Sequence, residues 1–332
     1  MTTQTPSPRV AIIGCGQIGR RRADSLPPGA LAVACDINLG QAQRLAAGTP
    51  GCLATSSIET ALAHPDVSVV IVATMNCGLA KISRQAAEAG KHVLVEKPGG
   101  VSVGEVEELG ASAKRNNVAV RIGYNHRFHP ACLKAVELFR NGDLGPIMFV
   151  RGRYGHGGRP GYEKEWRANP ALSGGGELID QGVHLIDLAG IFLGPFTKID
   201  GHVTTSFWDM RVEDNAFLSL RNAQGATAWL HASCSEWKNM FSLEIYGRKA
   251  KLHWEGLGGS YGTERLTYYR MLPEMGPPET TIWEFPRGDN SWKLEMSEFF
   301  EDIRLKRNPV PGLDEARQAL AVVEEIYRKT TP

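Results

Sequence analysis

No charge of either sign dominates this sequence. Its 37 Lys and Arg against 36 Asp and Glu leave a net charge of +1, so no global field draws the chain to nucleic acid or anionic lipid. No apolar run approaches the ~18 residues of a membrane-crossing helix, and the opening MTTQTPSPR lacks the apolar core of a signal peptide. The expectation is a cytosolic protein with neither nucleic acid nor membrane as partner. Cys15, Cys35, Cys52, Cys77, Cys132 and Cys234 are scattered, without a C-x-x-C pair or a Cys/His cluster at zinc spacing. The thiols are therefore read as reduced and mostly buried, with no metal site. Internal repeats and low-complexity segments are also missing. What is present is a globular composition, 42% hydrophobic and 22% charged over 332 residues, long enough for two domains of ordinary size.

The first third alternates short β-rich runs with helical patterns, as a parallel sheet with crossover helices requires. The runs are VAIIG from Val10, LAVACD from Leu31, VSVVIVAT from Val67, HVLVE from His92 and VAVRIG from Val118. Their near-continuous hydrophobicity predicts strands buried on both faces. Ser102 and Glu105 stand at capping-box spacing and open a helix that runs to Asn116. Beyond residue 123 the pattern changes. A helix is expected over Pro130 to Arg140 and another around Gly176 to Phe192. An antiparallel sheet follows over Gly201 to Phe285, and two closing helices lie near Trp292 to Lys306 and Leu313 to Lys329. The predicted fold class is α/β, with a Rossmann-like doubly wound parallel sheet over 1–123 and a second α/β domain over 124–332. Six of the seven tryptophans lie at or beyond Trp208, more aromatic surface than one helix layer covers. A homodimer or homotetramer through the open sheet is expected.

The first strand runs straight into Gly14-x-Gly16-x-x-Gly19 and then a helix. Gly14 permits the tight turn, Gly16 lets backbone approach a pyrophosphate, and Gly19 allows close packing of helix on strand, with phosphates at the helix N-terminus. Gln17 and Ile18 complete the loop. The second strand ends at Asp36, twenty residues after Gly16, where a carboxylate can accept hydrogen bonds from the adenine-ribose diol. Asp36 repels a 2′-phosphate, and Ile37 and Asn38 offer no cation, which favours NAD over NADP. Arg20, Arg21 and Arg22 are the residues that complicate this preference. Further strand ends supply Ala73, Thr74 and Asn76, and the pair Glu96 and Lys97, as cofactor-lining candidates.

Lys97 stands at a strand end, and Pro98 fixes the turn that aims it. In GGGELIDQGVHLIDLAG, from Gly174, Asp180 and His184 are spaced i, i+4 and Asp187 follows at i+7, so on an α-helix all three share one face. That polar stripe is either paired internally or faces a cleft, and a histidine beside an aspartate is the simplest general base.

The ordered set, Gly14-x-Gly16-x-x-Gly19, Glu96-Lys97-Pro98 and Asp180-x-x-x-His184 after a glycine run, strongly resembles the Gfo/Idh/MocA family of NAD(P)-dependent oxidoreductases over nearly the whole chain. The resemblance implies a Rossmann domain, then an α/β domain with an open, mostly antiparallel sheet, and a site between them. It identifies Lys97 with the family's active-site lysine, and Asp180 and His184 with its substrate-facing pair. Met75 and Cys77 stand where the family has Pro and His.

The chemistry such residues support is interconversion of a secondary alcohol and a ketone. His184 is assigned as general base, Asp180 orients substrate hydroxyls, and Lys97 steadies the developing alkoxide or shuttles the proton; His and Lys can exchange roles. The segment from Val150 carries Arg151, Arg153, Arg159 and Arg167 among aromatic residues, a composition suited to a diphosphate or carboxylate. From it, the substrate set comprises Tyr154, Arg159 and Trp166, joined by Tyr124, Arg127, Lys97, Asp180 and His184. The expected substrate is a nucleotide sugar resembling UDP-N-acetylglucosamine, oxidised at C3. A free sugar or inositol dehydrogenase, a glycosidase or dehydratase that retains its NAD, and a non-catalytic NAD-binding regulator remain the alternatives.

Overall fold

The apolar runs of the first 123 residues become strands of one all-parallel sheet. Its strands are β1 (Arg9–Ile13), β2 (Leu31–Cys35), β3 (Leu53–Thr55), β4 (Val67–Val72), β5 (His92–Glu96) and β6 (Val120–Gly123). They lie in the order β3-β2-β1-β4-β5-β6, so the chain reverses direction across the sheet between β1 and β4 and opens a crevice at their carboxyl ends. The three-residue β3 is too short to stand out in the sequence. The structure, a computed structural model, describes residues 8–330. The opening stretch that carries the expectation of no signal segment lies, through residue 7, outside the described residues. Among those described, no helix is long and apolar enough to cross a membrane.

Helices α1 (Gln17–Asp24), α2 (Leu39–Ala46), α3 (Ile58–Ala63), α4 (Asn76–Glu88) and α5 (Val103–Arg115) connect the strands. Ser102 caps α5 by accepting from the Glu105 amide at 3.2 Å, and the Glu105 carboxylate reaches back to the Val101 amide at 2.8 Å. The capping pair predicted from spacing is thus formed, with its return bond one residue earlier than the usual box.

By its contacts the chain divides into two units, residues 1–123 with 292–317, and 124–291 with 318–332. The sequence reading placed all of 124–332 in one continuous domain. Residues 292–317 instead belong with the first unit, because α9 (Ser291–Leu305) buries Met296 and Phe299 in one cluster with Val10, Ile12, Leu31, Val69, Ile71 and Leu94. Polar residues hide this face in the sequence: Glu295 and Asp302 are also buried. Asp302 receives the buried Arg121 guanidinium in an ion pair.

The second unit carries α6 (Pro130–Arg140), β7 (Ile147–Gly155), the short α7 (Pro170–Ser173) and α8 (Val183–Leu193). Strands β8 (Phe196–Thr204), β9 (Asn215–Asn222), β10 (Thr227–Ser233), β11 (Met240–Gly247), β12 (Ala250–Glu255), β13 (Glu264–Arg270) and β14 (Glu279–Phe285) follow, and α10 (Leu313–Thr330) closes the chain. The sheet order is β14-β13-β12-β11-β7-β10-β9-β8. All neighbours are antiparallel except β7 and β10, which run parallel. The arginine-bearing segment from Val150 begins inside β7, and Arg151 and Arg153 are strand arginines facing solvent. The alternation is that of a half-buried strand: Val150, Gly152 and Tyr154 are buried, while Arg151 and Arg153 are exposed. At Gly152 a Cβ would lie 3.1 Å from Leu185 and 3.0 Å from Leu230, so its absence lets α8 settle on the sheet.

The dependence of the first unit on α9 has a measurable consequence. Phe299→Ala is expected to lower stability by about 3–5 kcal/mol, read by urea unfolding; a change below about 1 kcal/mol would mean that α9 does not complete that core.

Candidate functional site

The crevice of the first unit is built by backbone approaching backbone. Gly14 has φ +97°, and a Cβ there would lie 2.4 Å from the Ala73 carbonyl oxygen; a Cβ at Gly19 would lie 1.9 Å from the Gly14 carbonyl oxygen. Gly16 differs, since its Cβ would meet nothing within 4 Å. It is also the N-cap of α1 and supplies no side-chain cap. An open helix N-terminus floored by bare backbone suits a pyrophosphate, so the residues fit a dinucleotide. At the end of β2, Asp36 takes the Cys15 amide on one carboxylate oxygen at 2.7 Å and the Asn38 amide on the other at 2.8 Å. Each oxygen keeps a lone pair for a ribose hydroxyl. Ala73 and Thr74 are half-buried on the β4 side, and Asn76 is buried at the start of α4. Gln17 is exposed and Ile18 half-buried.

Of the three arginines after Gly19, Arg20 donates to Gln41 at 2.6 Å. Arg22 is fully buried against Glu96 and Glu295 and cannot reach a phosphate. Glu96 ends β5 and is itself buried, whereas the adjoining Lys97 is half-buried between buried neighbours.

The second unit gathers the remaining candidates around α8. Residues Leu178–Gly182 form a π-helical turn that leads into Val183–Leu193, where an uninterrupted α-helix was expected. The widened turn carries Asp180, and π turns recur at functional positions. The glycine run before it is pinned from outside: Glu213 accepts the Gly176 amide at 3.0 Å, the Leu178 amide at 3.1 Å and the Tyr327 hydroxyl at 2.7 Å. A Cβ at Gly176 would lie 2.0 Å from the Glu213 carbonyl oxygen. Burial raises the Glu213 carboxyl above its ordinary value, even though these donors pull the other way.

His184 is buried, with the His126 ring stacked on it at 3.9 Å and the edges of Tyr124 and Tyr154 at 5.8 and 6.0 Å. Burial pushes the Tyr154 hydroxyl well above its ordinary value, so it stays a neutral donor. His126 was not singled out in the sequence, although it lies just past the carboxyl end of β6, where ligand-facing residues collect. Within the predicted stripe, Asp187 pairs with an arginine. Arg127 donates to both its oxygens, at 2.8 and 2.6 Å. That fork occupies the guanidinium proposed as a substrate contact.

The arginine-rich segment does not form one cluster. Arg151 and Arg153 point to the sheet face opposite Tyr154, and Arg151 pairs with Glu244 at 2.7 Å. Arg159, expected to hold substrate, is 68% exposed and pairs with Glu165 at 2.5 Å. It is Arg167, stacked on Trp166 at 4.6 Å, that reaches the candidate residues, donating to Asp180 at 3.1 Å. Behind it, Glu177 accepts the Tyr162 hydroxyl at 3.1 Å and lies 3.6 Å from His156. Burial disfavours the charged form of His156, but Glu177 outweighs this and raises its pKa. Cys15, Cys35, Cys132 and Cys234 are buried, and burial pushes the Cys15 thiol up to about 12. Among the described residues no group of three or more His, Cys, Asp or Glu is placed to hold a metal.

Comparison with known proteins identifies this arrangement. Residues 8–124 match the NAD-binding Rossmann fold of an oxidoreductase family, and 132–253 match the GFO/IDH/MocA C-terminal domain. D-glucoside 3-dehydrogenase of Escherichia coli is 30% identical over 258 residues, 70% of this chain and 72% of that protein. Levoglucosan dehydrogenase of Pseudarthrobacter phenanthrenivorans is 32% identical over 153 residues, 46% of this chain and only 39% of that protein. A structure of levoglucosan dehydrogenase with NADH and levoglucosan superposes with a TM-score of 0.87 at 23% identity, covering 97% of this chain and 96% of that one. The fold and crevice define a pyridine-nucleotide oxidoreductase. The chain belongs to the GFO/IDH/MocA family.

The glycine geometry separates two variants. Gly16→Ala, whose methyl enters empty space, is expected to keep the wild-type melting temperature and weaken NADH binding about tenfold or more by fluorescence titration. Gly19→Ala is expected not to fold stably.

Proposed function

We propose that the protein is an NAD-dependent dehydrogenase that interconverts a ring secondary hydroxyl of a neutral sugar or cyclitol with the ketone. The observation that carries this reading is the charge balance around α8: Arg167 is matched by Asp180, Arg127 by Asp187 and Arg159 by Glu165. Among the described residues, Arg127, Arg159 and Arg167 each already face a carboxylate, and Arg153 lies on the opposite face of the sheet from Tyr154, which weakens the nucleotide-sugar expectation that the arginine-rich segment motivated. A neutral polyol suits a surface of paired donors and acceptors. The relatives named D-glucoside 3-dehydrogenase and levoglucosan dehydrogenase support the same substrate class.

In this reading bound NAD supplies the hydride acceptor. His184 removes the hydroxyl proton, Asp180 orients neighbouring hydroxyls with Arg167 fixing its carboxylate, and Lys97 steadies the developing alkoxide. The carboxylate of Asp36, and the burial of Arg22 away from any phosphate, favour NAD over NADP.

The test is a panel of free sugars, glycosides and cyclitols assayed beside UDP-linked sugars, with NAD and with NADP. A free sugar or glycoside with NAD is expected to give the highest kcat/KM; preference for the UDP form would restore the nucleotide-sugar reading. On the best substrate, Lys97→Met and His184→Asn are each expected to lower kcat by about 100-fold or more, with NADH affinity kept. Near-normal turnover in either would remove that residue's assigned role.

The open face of the eight-stranded sheet supports assembly of copies of this chain. It carries a concavity of about 690 Å³ lined by Phe217, Trp229, His231, Arg151 and Glu244 among others, and Trp229 is 66% exposed. Arg151 and Glu244, already paired with each other at 2.7 Å, flank these aromatic residues, so the apolar patch can meet its own copy across a two-fold axis without opposing like charges. Trp229→Glu is expected to sediment as a monomer where the parent sediments as a dimer or tetramer; an unchanged mass would place the contact elsewhere.

A further inference from the structure

Beneath the strand end that carries Lys97 lies a guanidinium with no access to water. Arg22 belongs to α1, three residues after the last glycine of the dinucleotide loop, and is 0% exposed. Its Nε donates to Glu96 Oε1 at 2.6 Å and its Nη1 to Glu295 Oε2 at 2.5 Å. The Trp292 ring covers it at 4.4 Å. Burial alone would disfavour the charge, but the two carboxylates outweigh it and hold the group protonated. On the remaining side stands Gly123, the sheet partner of Glu96. A Cβ there would lie 2.7 Å from Arg22 Nη2 and 3.0 Å from Glu96 Oε2. The guanidinium is thus wedged by α1, α9 and the ends of β5 and β6.

A buried three-charge network is not needed for stability, since apolar residues of similar volume generally serve as well or better. What such a network supplies is direction, because one planar guanidinium, bonded through Nε to Glu96 and through Nη1 to Glu295, fixes the angle between the two carboxylates where apolar packing tolerates small shifts. One of these carboxylates belongs to the residue immediately before Lys97. An error of about 1 Å in a reacting group can cost about 100-fold in rate, and side chains at reacting centres need that kind of second layer to stay in register.

We propose that Arg22, held by Glu295 and Trp292, is a positioning residue for Lys97: through Glu96 it sets where the end of β5 delivers the lysine ammonium. The inference rests on the reading of Lys97 as part of the catalytic machinery. It assigns a role in turnover to α9, which lies almost 200 residues further along the chain than Lys97.

The experiment compares three changes on the full-length protein, in the presence and absence of Lys97. Arg22→Met alone strands two buried carboxylates and is liable to unfold, so it is combined with Glu295→Met, which removes the fully buried one and leaves only Glu96, 7% exposed, without its cation. Gly123→Ala removes no charge and only displaces the clamp. Arg22→Lys keeps the charge without the fork. The double variant and Gly123→Ala are expected to lower kcat about tenfold or more, with the KM for NAD and the NADH dissociation constant within about twofold of the parent. Arg22→Lys is expected to fall between them and the parent. The decisive reading is non-additivity: in a Lys97→Met background the same changes are expected to cost nothing further, because their effect travels through the lysine. A purely structural role would lower kcat by the same factor in both backgrounds and overturn the proposal, as would folded variants with parental kcat and pH profile. Should Lys97→Met itself leave turnover intact, the catalytic reading of Lys97 fails on its own evidence, and this inference with it.

Discussion

Close approach of backbone to backbone, with no side chain between, is the constraint on which both halves of this molecule rest. In the first unit the carbonyl oxygens of Gly14 and Ala73 occupy the space where side chains at Gly19 and Gly14 would project. The crevice between β1 and β4 exists because of that intimacy. In the second unit the run ending at Gly176 is pressed against the backbone at Glu213 and clamped by its carboxylate and the Tyr327 hydroxyl. That clamp decides where α8 begins, and so where Asp180 and His184 stand. In both units the close approach of main chain sets where the candidate residues stand.

Charge pairing then fixes the character of the candidate residues around α8. Taken one at a time, arginines in a polar segment look like anion binders. Taken with their partners, they are half of a set of ion pairs, and the acids they meet are supplied from α8, from the same loop and from a neighbouring strand. Arg167 matters most, because its guanidinium fixes the orientation of Asp180 while stacked on Trp166. A sugar hydroxyl both donates and accepts, and a surface whose own charges are paired can address it without desolvating an uncompensated ion.

The first unit was largely legible in the sequence because its signals are local. Near-continuous β-branched runs, the glycine spacing, Asp36 at the end of β2 and the Ser102 cap each occupy a short window. The spacing of Asp180 and His184 was legible in the same way. What escaped depends on distant partners. Nothing local to the helix near Trp292 to Lys306 says that Glu295 and Asp302 face inward; only the buried Arg22 and Arg121, far upstream, give them a reason to. Arg167 was seen but passed over for Arg159, since nothing in a linear segment says which arginine an acid on another element will meet. The role of β7 was ambiguous because a strand with glycine and arginine in alternation reads equally as an anion-binding segment; Gly152 is there for packing and the arginines face the open side.

The late return of α9 bears on how the chain is made. Synthesis runs from the amino end, and the nucleotide-binding sheet is complete in sequence by residue 123, yet one side of its core waits for Met296 and Phe299, and Arg22 waits for Glu295. Until those residues leave the ribosome, the nascent sheet carries an uncovered apolar face and a guanidinium short of one carboxylate. The eight-stranded unit lies between the two pieces and is synthesised in the interval. The chain therefore holds an unfinished nucleotide-binding unit through most of its own translation, and that unit closes only when the sheet that follows it has already emerged.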